Sequence, residues 1–374
     1  MTASKENLKL TRITIELPAN TADEVTSLSL WDGATKVTND VAVTNAGTPY
    51  AKFNTFTSDF VIPKDTTKTL TVKANTAAVG NAVSGEGADS GATITATLAT
   101  DTTADDQFEA RGVSSNTVLD DDNVTQTSAN NLVLRKTKMT ITENNLSTSV
   151  LSNGSPQDVY SFTIAADAKG DVAIKQLIFN SIVTDNVGTN DTLTAGAFEI
   201  YRNGSNITTN VDIHNTAGAT IESTNTLGEG TAQAIVTWAS EEVIAAGTSN
   251  TYIIRATLSG YATPADDDSF RMHLRVDSSA QTSGYTYIAD ADQTASQYTA
   301  SLGTAANLMM ATAGATVTLS GNDNIIWSDN AAIPHDYTLT DNQGAEEGPD
   351  TDALDWINGH MIKNQPLNGR TLTN

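Results

Sequence analysis

The sequence predicts an all-β protein: two tandem immunoglobulin-like β-sandwich domains with a C-terminal hairpin or cap extension. Three observations predict it. Apolar and polar residues alternate with a period of two along most of the 374 residues, while the 3.6-residue period of amphipathic helices is nearly absent. Turn signals separate the alternating runs at the short spacing of sandwich strands. Thr, Ala, Asn, Ser and Asp are abundant against a hydrophobic fraction of 39%, a composition suited to half-solvated strands and their turns.

Taken in order, Leu8–Leu17 alternates Leu, Leu, Ile, Ile, Leu, and Val25–Trp31 ends at the tight turn Trp31, Asp32, Gly33. Thr67–Ala74 and Ala92–Leu98 follow. The run Asp120, Asp121, Asp122, Asn123 and the Thr/Ser/Asn stretch after it mark a polar break, and strand character resumes at Leu132–Leu134. The predicted domains are therefore 1–132 and 133–321. The second contains the strand candidates Asp158–Ala165, Val172–Asn180, Ala197–Arg202, Ala232–Trp238, Asn250–Leu258, Ser269–Val276 and Ala315–Leu319. Residues 322–374 read differently: two Trp-bearing segments, around Trp327 and Trp356, flank an acidic Gly/Pro loop. They suit an extension packed on domain 2 or on a neighbouring subunit. Trp31, Trp238, Phe162 and Phe179 are the expected aromatic core.

The two domains share a faint repeat. IPKDTTKTLTVKA (Ile62–Ala74) recurs as IAAGTSNTYIIRA (Ile244–Ala256), with Lys73 matching Arg255. Upstream, Leu30–Gly33 with Val37 and Thr38 matches Ile200–Asn203 with Ile207 and Thr208, and Leu10–Ile15 matches Ile174–Phe179. The second copy has one more strand ahead of Ile174, Val159–Ile164, joined by the turn Ala168–Asp171. Ahead of Leu10 stand only nine residues, too few for that strand and its turn. Domain 1 is thus expected to lack its opening strand. Unpaired backbone beside apolar core is costly, and a neighbour's strand would fill the slot by β-augmentation.

Charge and composition exclude several functions. With 44 acidic and 20 basic residues the formal net charge is −24, which repels nucleic-acid phosphates and anionic lipid. The chain has no cysteine, hence no disulfides and no thiolate metal sites. No stretch approaches the roughly 18 apolar residues of a membrane span. The opening MTASKENLKL has no apolar core and is not a signal peptide, so in an exported protein Met1 is an expression start or the numbering begins after cleavage.

Little in the sequence points to catalysis. His214, His273, His335 and His360 are scattered without metal spacing, and no Gly-x-Ser-x-Gly elbow occurs. The chain is expected not to be an enzyme. Oxygen-ligand metal binding is the better candidate: Asp120, Asp121 and Asp122 form one acidic cluster and Asp266, Asp267 and Asp268 another, both suited to Ca²⁺, though neither has the spacing of a calcium loop. Asn-x-Ser/Thr sequons stand at Asn123, Asn145, Asn153, Asn190, Asn203 and Asn206, and Tyr285 and Tyr287 are the best candidates for a sugar platform.

One resemblance covers most of the chain. The order Leu132–Lys136, Phe162–Asp167 with Gly170–Val172, Ile244–Thr248, and an ending with Ile326–Asp329, Trp356, Gly359–Lys363, Pro366, Leu367 and Gly369 resembles exported β-sandwich, S-layer-like surface proteins of candidate phyla radiation bacteria. Leu30–Gly33 and Ile62–Ala74 look like the repeat unit of that group. The resemblance implies a sandwich fold and an extracellular location, and its motifs carry no chemistry. The chain departs from the group in its missing signal peptide and missing opening strand.

The expected function is a structural subunit of a self-assembling extracellular surface layer or filament, joined by strand complementation or edge-strand contacts. The alternative is a monomeric cell-surface adhesin or carbohydrate-binding module. The expected partner is the chain itself, as a homo-polymer, with cell-wall or surface glycans as further candidates.

Overall fold

Alternating sequence becomes strands with one face turned inward. The computed structural model describes residues 1–277 apart from 20, 45–46, 80–86, 101–105, 186–191, 217–218, 224 and 261–267; beyond 277 it describes 286–287, 308–309, 324–331, 356–362 and 368–373. Among these residues the regular structure is β-strand with three short 3-10 turns. Among the described residues no helix is long and apolar enough to cross a membrane. The chain divides into two compact units, Met1–Arg135 and Lys136–Asn374, each a β-sandwich over its own core. Leu132–Val133 pairs with Thr93–Ile94 and so lies in the first unit.

In the second unit one sheet runs in the order Met139–Glu143, Ser155–Ala166, Ser249–Ser259, Thr194–Arg202, Ser205–Asn206. The facing sheet runs Val211–His214, Gly230–Ile244, Val172–Thr184, Ser269–Leu274, Thr371–Thr373. Between them Tyr160, Phe162, Phe179 and Tyr252 form an aromatic cluster in which Phe162 and Tyr252 stack at 5.2 Å. The C-terminal segment is part of this sandwich. Ile325–Ser328 pairs with Val172–Thr184 and carries Trp356–Asn358 on its other side, and Ile325, Trp327, Ile357 and Leu372 belong to the core. Gly369 lets the last strand reach its place: at φ 67°, a Cβ there would fall 1.9 Å from the Met272 carbonyl oxygen.

The buried carboxylate of Asp277 ties these pieces together. It accepts the backbone N–H groups of Asn324 (2.6 Å), Ile325 (3.2 Å) and Gly359 (2.7 Å). Burial pushes its pKa up to about 6 despite those donors.

In the first unit Leu8–Glu16 is the central strand of one sheet, flanked by Thr97–Leu98 and Phe108–Gly112 on one side and Tyr50–Phe53 and Val61–Ile62 on the other. The facing sheet holds Val25–Asp32 with Thr35–Lys36, Val41–Ala42 and Leu70–Thr76. The expected strand Ala92–Leu98 is two short strands, because Thr93–Ile94 and Thr97–Leu98 pair with different partners. Trp31 is not core. Leu28 and Leu30 point inward, so Trp31 lies on the opposite face, half-buried, with the Lys73 ammonium 3.7 Å from its ring centroid. Trp238, Phe162 and Phe179 are buried. Ala315–Leu319 lies outside the described residues.

Candidate interaction edge

The repeat read from the sequence has a structural counterpart at the level of single hydrogen bonds. Val37 N–H donates to the Leu30 carbonyl (2.9 Å) and Leu30 N–H to Thr38 Oγ1 (2.9 Å); Ile207 N–H donates to Ile200 (2.9 Å) and Ile200 N–H to Thr208 Oγ1 (3.0 Å). Thr66 Oγ1 donates to the Pro63 carbonyl and Thr248 Oγ1 to Ala245, both at 2.7 Å. Arg255 lies 4.6 Å over the Tyr201 ring, as Lys73 lies over Trp31. Leu70–Thr76 and Ser249–Ser259 are therefore equivalent strands, with Leu70, Val72 and Ala74 at the positions of Tyr252, Ile254 and Ala256.

Their surroundings differ. Ser249–Ser259 is enclosed, with Thr194–Arg202 on one side and Ser155–Ala166 on the other. Leu70–Thr76 pairs with Val25–Asp32 and, among the described residues, has no strand on its other side. Tyr252, Ile254 and Ala256 are at most 1% exposed, whereas Leu70 and Val72 are half-buried and Ala74 is exposed.

The ladder geometry says which backbone groups face the gap. Leu30 directs both its N–H and its C=O to Thr38 and Val37, on the side away from Leu70–Thr76. Its partner Val72 is thus in a non-hydrogen-bonded pair, and Val72's own N–H and C=O point to the open side. By alternation the same holds for Leu70 and Ala74. The gap offers a ready-made ladder beside partly exposed apolar side chains.

Residues 1–3 pair at one end of this edge. Thr2 pairs with Thr67 and Ala3 with Thr66, and Met1 exchanges hydrogen bonds with Lys68 in both directions at 2.9 Å. These pairs match Ala165 opposite Ser249 and the Ala166 N–H bond to the Thr248 carbonyl in the second unit. Met1–Ala3 therefore lies where the last turn of pairing of Ser155–Ala166 lies, and the edge beyond Lys68 is uncovered among the described residues. Sequence reading missed this stub. The match of Ala3 to Ala166, ahead of Leu8 and Val172, is the signal that would have found it.

At this place the first unit pairs Lys68 with Asp32 at 2.8 Å, partly exposed, and the enclosed copy has a buried carboxylate. Glu242, buried, accepts two bonds from Arg202 (2.9 Å each) and one from the Tyr252 hydroxyl (2.8 Å). Burial and this carboxylate push the Tyr252 hydroxyl pKa up, and Glu242's hydrogen bond raises that of Arg202.

Of the expected metal residues the structure describes Asp120, Asp121, Asp122 and Asp268. Asp120–Asn123 forms a turn in which Asp121 faces inward, 1% exposed and accepting the Gln107 N–H at 3.1 Å, while Asp122 is exposed. Asp268 is buried, and Asp266 and Asp267 lie outside the described residues. Among the described residues no three His, Cys, Asp or Glu side chains are grouped to hold a metal ion. Of the histidines, His214 is buried, His273 half-buried, His360 exposed, and His335 outside the described residues; Tyr285 is outside them too.

No family model matches the chain, and no curated protein does. Among solved structures it is similar to the major pilin subunit of Bacillus cereus (10% identity, 70% of this chain and 64% of the pilin, TM-score 0.21). It is also similar to the C-terminal domain of the AgI/II polypeptide BspA of Streptococcus agalactiae (8% identity, 72% and 80%, TM-score 0.18). The chain thus spans less than two thirds of the pilin subunit.

Proposed function

We propose that this chain is a structural subunit that joins copies of itself into an extracellular surface layer or filament, with the open edge of its first sandwich accepting a strand from a neighbour. One observation carries the reading: Leu70–Thr76 has the pattern of an enclosed strand, with the backbone groups of Leu70, Val72 and Ala74 facing a gap that the equivalent strand of the second unit has filled. The cysteine-free composition does not exclude export. The proposal gives the chain no catalytic role.

Val72→Pro tests it. Proline removes the N–H that faces the gap and leaves the ladder to Val25–Asp32 intact, a placement that edge strands tolerate. Wild type is expected to form ordered assemblies in electron microscopy and sedimentation velocity, with amides of Leu70, Val72 and Ala74 gaining protection from exchange. Val72→Pro is expected to stay monomeric with its unfolding free energy within about 1 kcal/mol of wild type. Val72→Lys, which blunts the same edge with charge, is expected to do the same. A wild type that is strictly monomeric, or variants that assemble as well as it does, would overturn the reading.

A further inference from the structure

The strand Ser269–Leu274 sends Phe270, Met272 and Leu274 into the core, so Arg271, His273 and then Arg275 lie together on its other face. Arg275 stays in the ladder, its N–H donating to Ile178 at 2.9 Å. His273 sits opposite Asn180, with ring Nε2 and side-chain amide 3.3 Å apart. These side chains, with Val276 and Asn368, line a pocket of about 230 Å³. Burial and the two neighbouring guanidinium charges lower the His273 pKa, with Glu143 opposing them, so the pocket is cationic through its arginines.

The arginines are exceptional in this molecule. The chain has eight, and six have described partners: Arg12 and Arg111 with Glu109, Arg202 with Glu242, Arg255 with Asp158, Arg135 with Ser90, Arg370 with the Leu146 carbonyl. Among the described residues Arg271 and Arg275 have no ion pair, although carboxylates outnumber cations by 44 to 20. Of the two carboxylates near them, Asp277 accepts three backbone N–H groups and acts on Arg275 through its charge without a direct ion pair, and Glu143 accepts the Gly369 N–H at 3.1 Å. A guanidinium pair left open in so acidic a chain is a preorganised oxyanion receptor, since the arginine fork matches a carboxylate.

We infer that the Arg271–His273–Arg275 pocket receives carboxylates of a second copy of this chain. Charge complementarity selects the occupant: copies carrying −24 each repel one another unless cationic points meet the acidic surface. The described lining residues include no Phe, Tyr or Trp ring on which a sugar could stack, which favours an acidic peptide segment over a glycan. This inference rests on the self-assembly proposed above, and its test separates the two.

The full chain with Arg271→Gln and Arg275→Gln together is compared with wild type, and with the Arg271→Lys, Arg275→Lys pair, which keeps the charge and loses the fork. Circular dichroism is expected to show all three folded. Free glutarate, followed by the His273 ring signals in NMR, is expected to bind wild type and not the glutamine variant. Self-assembly is expected to weaken about tenfold or more in the glutamine variant, less in the lysine variant, and in wild type as NaCl rises from about 50 to about 500 mM. Glutarate binding by a wild type that never assembles would leave the receptor standing and remove its partner. Equal assembly of the glutamine variant and wild type would overturn the inference, as would binding of a polyglucuronate chain that the glutamine variant loses while assembly is unchanged. A glutamine variant that fails to fold leaves glutarate binding to wild type and to the lysine variant as the deciding measurement: no binding to either overturns the receptor.

Discussion

Leu70–Thr76 and Ser249–Ser259 follow the same turn, carry the same threonine bond back to the preceding loop, and place a cation over an aromatic ring on their outer face. Among the described residues only the second is flanked on both sides, by Thr194–Arg202 and Ser155–Ala166. The difference teaches what an added strand does in a sandwich. It does not change the conformation of its neighbour; it changes whether the inward side chains of that neighbour count as core. Ile254 is 1% exposed and Val72 is half-buried at the same place in the repeat. Burial, rather than local structure, separates the two units.

The comparison breaks most visibly under truncation. Ile254→Ala is expected to destabilise the second unit by about 2–5 kcal/mol, because its site is closed and cannot collapse freely. Val72→Ala is expected to cost the first unit only about 0.5–1 kcal/mol, since part of the side chain already meets solvent. Urea denaturation of the full chain, followed by probes on each unit, measures both. In the assembled state the Val72→Ala cost is expected to rise toward about 2 kcal/mol; equal costs at the two sites in the monomer would remove the asymmetry.

The second test concerns how the second unit is closed. Asp277 binds its proton up to about pH 6 in the folded chain, against 3.8 for the free group. Between those values the folded state holds more protons than the unfolded one, so its stability is greatest at the acid end and declines as pH rises toward 6. The expected contribution is up to about 3 kcal/mol, read from urea midpoints across that window. Asp277→Asn is expected to flatten this component of the profile, and a slope that survives the substitution would assign it to another group.

The smallest effect sharpens the repeat itself. Lys73→Ala removes the cation over Trp31 and is expected to cost about 0.5 kcal/mol. Arg255→Ala removes the cation over Tyr201 and also the bond to Asp158 at 2.9 Å, and is expected to cost about 1 kcal/mol. A Lys73 effect larger than that of Arg255 would mean the pairs are not equivalent.

The class of fold was legible because strand alternation is a local property: Leu8–Glu16, Val25–Asp32 and Ser249–Ser259 appear close to where the pattern puts them. The repeat between the two halves was legible too, and the paired threonine bonds of Thr66 and Thr248 follow it. Trp31 was misread because a large aromatic is a good core candidate by type, while its parity on the strand, opposite Leu28 and Leu30, sends it outward. Ala92–Leu98 was misread because alternation does not reveal that a strand changes partners midway. Where a carboxylate in an acidic run points is set by its backbone turn, which no composition shows, and Asp121 points into its own unit.

By itself, then, the sequence determined the β architecture and the repeat between its two halves, both of which depend on residue period. Tertiary structure alone decided that the backbone of Leu70, Val72 and Ala74 faces the gap, that residues 325–328 and 371–373 join the second sandwich, and that Arg271 and Arg275 line one pocket with no ion pair among the described residues. Pairing partners and charge neighbours come from residues distant in the chain, and no local pattern encodes which of them meet.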